Sequence, residues 1–172
     1  EDWKIFPIKG YGTVEMARSI LRTERPDVVW MMTDPRYWSW LWQIEDEIRP
    51  LAPMVYYHVW DNYPTPYFNE KFYRSNDVVV SISKVTENIV NEVAPDLKHV
   101  RIHHTVDETT FKPLDPEEVA KFRSEHIGDD ERVLFFWNNR NHRRKQPTTL
   151  LWWFKEFAEE VGKENVALLF HT

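Results

Sequence analysis

The chain has 172 residues, of which 42% are hydrophobic, 15% aromatic and 29% charged, and its formal net charge is −6. This composition provides enough apolar material for a packed core and excludes a disordered chain, while the acidic excess argues against a general nucleic-acid or membrane-surface binder. Cysteine is absent and no apolar run approaches the roughly 18 residues of a membrane span, so we expect a cytoplasmic protein without disulfides, cysteine-ligated metal or a membrane span.

Six short apolar runs have the length and the valine, isoleucine and aromatic content of β-strands. They are Val28–Met32, Met54–Trp60, Val78–Ile82, Val100–His103, Val133–Trp137 and Val166–Phe170. Because the runs are nearly continuous rather than alternating, we expect strands that are covered on both faces, as in parallel sheets between layers of helices.

Segments with helical spacing of apolar residues alternate with these runs, over 14–21, 85–93, 119–127 and 150–161. Ser83 is a predicted N-cap, and Asp115 is another because Pro116 follows it at the first helical position. The tryptophan-rich segment Trp38–Ile48 is predicted to be one helix. The alternate spacing of its tryptophans leaves a strand or a sugar-stacking platform open as alternatives.

Alternation of helices and strands predicts an α/β fold with mostly parallel, Rossmann-like sheets. A segment with two prolines and few apolar residues predicts a linker at 108–116, between a partial N-terminal domain at 1–107 and the start of a second domain at 117–172. Since the sequence stops in or just after a strand, we expect the second domain to be incomplete. We also expect the surfaces left open in this way to favour self-association.

A turn dense in cations separates the fifth strand from a strongly amphipathic helix. It carries Arg140, Arg143, Arg144 and Lys145. Ligands of open α/β sheets bind beyond the carboxyl ends of strands, and a following helix offers free N–H groups, so these cations suit a diphosphate. A solvated basic turn on an acidic protein is the alternative. With only four glycines in the chain, a glycine-rich phosphate loop is not available to most of it.

The turn resembles the start of the C-terminal domain in family 4 retaining glycosyltransferases, which have the GT-B fold. Arg140 and Lys145 match the family's arginine and lysine, although Gln146 stands where the family has glycine. Four earlier segments resemble the family in the same order. They are Arg25–Trp30 ("RPDVV"), Pro53–His58, Ser75–Ser83 ("ADxVVxxS") and Ile102–Asp107 ("IPHGVD", with Thr105 replacing glycine).

The resemblance implies a transferase that moves a sugar from a nucleotide-diphosphate donor, UDP- or GDP-linked, to an unknown acceptor with retention. Arg140 and Lys145 would hold the diphosphate and stabilise the leaving group, with Arg144 and His104 contributing to donor binding. His58 would lie in the cleft near the donor sugar. No metal or other cofactor is expected, since the two cations neutralise the diphosphate.

Alternatives remain for both the residues and the function. Read without the family, His58 is a core or rim histidine. Asp61 is a loop N-cap or turn residue, and with the resemblance it could instead orient His58 or bind acceptor hydroxyls. His103 and His104 point to opposite faces, which disfavours metal chelation. The chain could also be a non-catalytic α/β interaction module, or half of a protein that a partner chain completes. Nucleic-acid binding conflicts with the charge of −6.

Overall fold

A computed structural model of the protein describes residues 3–128 and 131–172. The chain divides into two compact units, and the boundary in the sequence lies between Val106 and Asp107. We refer to them as the first unit and the second unit, and each is described by itself.

The first unit alternates helices with four strands. Its elements in chain order are α1 (Val14–Thr23), β1 (Val29–Met32), a 3-10 helix (Pro35–Tyr37), α2 (Ser39–Trp42), α3 (Glu45–Ile48), β2 (Met54–His58), a second 3-10 helix (Tyr67–Asn69), α4 (Glu70–Arg74), β3 (Val78–Ser81), α5 (Lys84–Val93) and β4 (His99–Arg101). The four predicted strands and the helices predicted over 14–21 and 85–93 are confirmed within one or two residues.

Local capping explains where the two long helices of this unit begin. The Thr13 hydroxyl accepts a hydrogen bond from the Met16 backbone N–H (3.3 Å) at the start of α1. At the start of α5, Ser83 Oγ accepts from the Thr86 N–H (3.2 Å), and Thr86 Oγ1 accepts from the Ser83 N–H (2.9 Å). This reciprocal pair is a capping box, which confirms the predicted N-cap at Ser83.

The strands of the first unit form one parallel sheet in the order β1-β2-β3-β4. Met31 pairs with Tyr56, which pairs with Val79, so the three side chains share one face. All three are buried in the core with Ile48 of α3 and Ile89 of α5. The sequence prediction of an α/β fold with a parallel sheet flanked by helices is therefore confirmed for this unit.

The opposite face of this sheet is only partly covered. Trp30, Met32 and Val100 are about half exposed on it, at 55%, 52% and 44%. The expectation that every strand is covered on both faces is therefore wrong for β1 and β4. These two are edge strands, and a continuous apolar run does not reveal whether a second layer lies over it.

The segment Trp38–Ile48 is not the single predicted helix. It forms the one-turn helices α2 and α3, separated at Gln43 and Ile44. The Trp38 indole N–H donates to the Met32 carbonyl (2.9 Å), and the Trp42 indole N–H donates to Asn76 Oδ1 (3.1 Å). These hydrogen bonds connect the two indoles to different parts of the fold. Such tertiary contacts are not visible in the helical spacing of the sequence.

The second unit is smaller than the first and buries fewer apolar side chains. Its elements are α6 (Pro116–His126), β5 (Val133–Asn138), a 3-10 helix (Arg143–Lys145), α7 (Pro147–Val161) and β6 (Val166–His171), and β5 pairs in parallel with β6. Phe135 of β5 contacts Phe154 and Phe157 of α7 edge-on, at 5.6 and 5.5 Å between ring centroids. Phe135 itself is 40% exposed, because a two-stranded sheet buries little surface.

Asp107 forms a hydrogen-bonded turn at the beginning of the second unit. Its carboxylate accepts from the Thr109 N–H (2.9 Å) and from the Thr110 hydroxyl (3.0 Å), which closes a turn within the predicted linker region. Pro116 begins α6 as predicted, but the Asp115 side chain makes no capping bond in the described part of the chain. The resemblance of the second unit to the start of a glycosyltransferase C-terminal domain stays a prediction.

Candidate functional site

The basic turn of the second unit connects β5 to α7. β5 ends at Asn138, a 3-10 turn covers Arg143–Lys145, and the 15-residue α7 begins at Pro147. His142 Nδ1 accepts a long hydrogen bond from the Arg144 N–H (3.4 Å) and caps the turn. The sequence therefore places the turn at the carboxyl end of a strand and at the positive end of a helix dipole.

Four cations lie in this turn without a carboxylate partner. Arg140, Arg143 and Arg144 are exposed, and Lys145 is half-buried. None of the four makes an ion pair within residues 3–128 and 131–172, whereas most arginines of the first unit do. Like charges held close together repel one another, and an anion placed among them would relieve that repulsion.

Gln146 gives the turn its shape. Its backbone is left-handed, with φ 50° and ψ 49°, a conformation that glycine adopts readily and other residues adopt at a cost of about 1–2 kcal/mol. Because Gln146 directly follows Lys145, its left-handed backbone directs the chain from the 3-10 turn into α7. A cavity of about 400 Å³ opens beside it, lined by Asn141, Arg143, Gln146, Pro147, Thr148 and Thr149.

The first turn of α7 contributes donors to this cavity. Backbone N–H groups in the first turn of a helix have no intrahelical acceptor, and those of Thr148 and Thr149 belong to that turn. Pro147 lacks an N–H and begins the helix without losing a bond. Of the four cations in the turn, Arg143 lines this cavity, whereas Arg140, Arg144 and Lys145 are not among its lining residues. An anionic group in the cavity would find the charge of Arg143 and the N–H groups at the start of α7.

One polar pair at the same edge, Asn138 with His171, was not predicted from the sequence. His171 Nδ1 lies 2.8 Å from Asn138 Oδ1, and the Asn139 N–H donates to the His171 carbonyl (3.2 Å). Asn138 and His171 are register partners at the ends of β5 and β6. A signal was present in the sequence, since each residue directly follows a predicted strand and neighbouring parallel strands end at one edge.

His58 lies at the end of β2 in the first unit and is completely buried, with 0% of its surface exposed. Its Nε2 is 2.9 Å from the Tyr73 hydroxyl, which also accepts from the Asn69 amide (3.4 Å). Nδ1 has no hydrogen-bond partner among the described residues. Burial lowers the pKa of His58 to about 3 and raises the pKa of Tyr73 to about 12. The imidazole is therefore neutral at pH 7.

His104 lies beyond β4 and is exposed. Its Nδ1 is 3.1 Å from the Tyr57 hydroxyl, which donates to the Ile102 carbonyl (3.0 Å). Tyr57 and His58 are consecutive in β2, so their side chains leave the sheet on opposite faces. The structure does not bring the two predicted site histidines together: His58 lies on the helix-covered face, and His104 contacts the other.

Searches of protein-family models and of curated proteins find no match to this chain. Among the described residues, no helix combines the length and apolar character needed to cross a bilayer. Within the same residues, no three histidine, aspartate or glutamate side chains converge in a way that would hold a metal ion. The site roles predicted for His58, His104, Arg140, Arg144 and Lys145 stay predictions.

Proposed function

We propose that the protein is a retaining glycosyltransferase of GT-B type, and that its basic turn holds the diphosphate of a nucleotide-sugar donor. The observation that carries the proposal is the set of four cations just before α7 that have no carboxylate partner within residues 3–128 and 131–172. On a chain of net charge −6, such a group of neighbouring cations suits an anionic ligand. Arg140 and Lys145 are the two that match the family's motif.

The backbone at Gln146 supports the same proposal. The family that the turn resembles has glycine at this position, and here the residue adopts the left-handed conformation that favours glycine. The turn therefore has the backbone that a lysine-glycine pair would adopt, although its sequence differs. This agreement is independent of the charges, because it concerns only φ and ψ.

The chemistry assigned to these residues is electrostatic. When the bond between the sugar and the diphosphate breaks, negative charge accumulates on the departing oxygen. Arg140 offers a planar pair of N–H donors and Lys145 a compact charge, and both interact more strongly with that charge than with the intact donor. Arg144 and the free N–H groups of α7 bind the phosphates in both states, which contributes to affinity more than to rate.

Lys145→Ala is expected to weaken binding of UDP or GDP by about tenfold or more, since a hydrogen bond to a charged group contributes about 1.5–3 kcal/mol. Isothermal titration calorimetry on the full chain measures the change. Lys163→Ala is the matched control, because Lys163 belongs to the same unit but pairs with Glu159 (3.3 Å). Equal affinities for wild type and Lys145→Ala would remove the proposed site.

A non-catalytic interaction module is the second candidate function, and the half-exposed face of the first unit favours it. Trp30 and Met32 lie side by side on that face with Val100 on its far strand. Because these side chains are already about half buried, each would gain about half of the roughly 1.5–3 kcal/mol that full burial of an exposed apolar side chain provides. A second copy of the chain is the partner that this candidate requires.

The double variant Trp30→Thr, Met32→Thr is expected to weaken self-association by at least tenfold, because it removes two large apolar side chains and keeps residues suited to a strand. Sedimentation velocity over a range of concentrations measures the effect. Trp3→Thr is the control, since Trp3 is 84% exposed but lies outside the sheet. A wild type that stays monomeric throughout would contradict this second candidate.

A further inference from the structure

An exposed apolar ridge runs along one side of α7 in the second unit. Trp153, Phe157 and Val161 follow one another at four-residue intervals, so their side chains form one row on the helix. Trp153 is 67% exposed, and Phe157 and Val161 are exposed as well. Phe135 of β5 contacts Phe157 edge-on at 5.5 Å and extends the apolar surface toward the sheet. Contiguous exposed apolar side chains of this size mark a surface that another chain covers.

The neighbouring Trp152 does not belong to this ridge. Successive residues of a helix are rotated by about 100°, so Trp152 projects from a different side of α7. Its indole N–H donates to Glu156 Oε1 (2.7 Å), and the Lys155 ammonium lies 5.8 Å from its ring centre. Trp152 therefore has polar partners on its own helix. Trp153 makes no hydrogen bond or ring contact with the residues in 3–128 and 131–172, and its ring is free to pack against a second surface.

The two ends of α7 carry opposite charges. The basic turn precedes the helix, and its cations have no carboxylate partner in the described part of the chain. Glu160 lies near the other end, about two helical turns after Trp153 and therefore on the same side of the helix. Glu164 follows the helix. Both glutamates are exposed, and neither makes an ion pair within residues 3–128 and 131–172. A helix with a basic start, an acidic end and an apolar row between them is complementary to a copy of itself that runs in the opposite direction.

We propose that two copies of the chain associate through this ridge, with their α7 helices antiparallel about a twofold axis. The axis passes near Phe157, so that Trp153 of one copy packs against Val161 of the second copy. The basic turn of each copy then meets Glu160 and Glu164 of the other. Charge selects this direction, because a parallel pair would place like charges and like ends of the helix dipoles together.

The inference goes beyond both candidate functions. It uses residues of the second unit only, whereas self-association through Trp30 and Met32 uses the first unit. It does not rest on nucleotide binding, since Glu160 and Glu164 of the second copy supply the anionic groups. A diphosphate at the basic turn and a second copy on the ridge would use the same cations, so each would exclude the other there.

Sedimentation velocity of the full chain at low ionic strength, over a range of concentrations, tests the ridge. Trp153→Ala is expected to weaken self-association at least tenfold, because it removes the largest exposed side chain of the row. Trp152→Ala is the matched control, next to it on the same helix and similarly exposed, and should associate as the wild type does. The double variant Trp30→Thr, Met32→Thr separates the two surfaces, since association through the ridge leaves it unaffected. A monomeric wild type, equal weakening by Trp152→Ala, or loss of association only in the Trp30→Thr, Met32→Thr variant would overturn the proposal.

A charge exchange tests the direction of the helices. The variants Glu160→Lys, Glu164→Lys and Arg144→Glu, Lys145→Glu are each expected to associate with themselves at least tenfold more weakly than the wild type, because each places like charges at both ends of the antiparallel pair. An equal mixture of the two variants restores opposite charges at both ends, and should associate at least tenfold more tightly than either variant alone. All four substitutions are at the surface or half-buried, so the circular dichroism spectra should stay unchanged. Variants that associate like the wild type, or a mixture that stays monomeric, would contradict the antiparallel arrangement.

Discussion

Replacing Trp42 with alanine is expected to lower the free energy of unfolding of the first unit by about 3–5 kcal/mol. The Trp42 ring is 5% exposed and contacts Phe72 face-on at 5.0 Å and Tyr56 edge-on at 5.2 Å. Its indole N–H donates to Asn76 Oδ1 (3.1 Å). Truncation would remove these contacts, leave a void in the core and deprive a buried amide oxygen of its donor.

Hydrogen exchange followed by mass spectrometry measures this effect for each unit separately. Amides of β2 and β3 should exchange faster in Trp42→Ala, because their protection depends on the stability of the first unit. Trp3→Ala, which truncates an 84% exposed tryptophan in the same unit, should change the stability by less than about 0.5 kcal/mol. A loss below about 1 kcal/mol for Trp42→Ala would mean that the core does not depend on this ring.

The same ring connects the core to a cavity of about 560 Å³ at the carboxyl ends of β1 and β2. Phe72 stacks on Trp42 and also lines this cavity. A variant that loosens Trp42 should therefore also disturb the lining. The tryptophans of this chain occupy different environments: Trp42 is buried in the core, Trp60 lines the cavity, and Trp30 is half-exposed on a sheet face.

The strands could be predicted from the sequence because they depend on local composition. Each apolar run is rich in β-branched and aromatic residues, and strand pairing, such as the register of Val55 with Val78, needs only that pattern on both strands. The break at Gln43 and Ile44 could not be predicted in this way. Trp42, just before the break, donates to Asn76, 34 residues later, and helical spacing contains no information about that partner.

The basic turn was also accessible from the sequence, since a strand, a group of cations and a helix follow one another directly. The arrangement of the histidines was not. His58 ends a strand, so its face follows from alternation, but His104 lies past the end of β4, where alternation no longer applies. Its position depends on the contact with Tyr57, which joins residues 47 apart.

Acidification from pH 7 to pH 5 is expected to lower the free energy of unfolding of the first unit by about 2 kcal/mol through His58 alone. The pKa of His58 is about 3 in the folded protein, against an ordinary value of about 6.5 in an unfolded chain. Between these values the unfolded chain binds a proton that the folded protein does not. Stability therefore rises with pH in this window, and is lost as the pH falls.

His58→Gln isolates this contribution, because glutamine keeps a neutral hydrogen-bonding group beside Tyr73 and does not titrate. The difference in unfolding free energy between wild type and variant, measured by urea titration at each pH, should shrink by about 2 kcal/mol between pH 7 and pH 5. His103→Gln, at an exposed position, should show no such change relative to wild type. The lower limit of this window, pH 5, lies above the pH range in which carboxylates such as Asp96 change the stability. The Arg74 guanidinium holds the pKa of Asp96 below its usual value. A difference that stays constant with pH would mean that His58 takes up a proton as readily in the folded protein as in the unfolded chain, and that its ring has access to solvent or to an anion. In that case the residue would be available to a substrate, as its place in the resemblance requires, and the sealed core around Tyr73 would have to open to admit one.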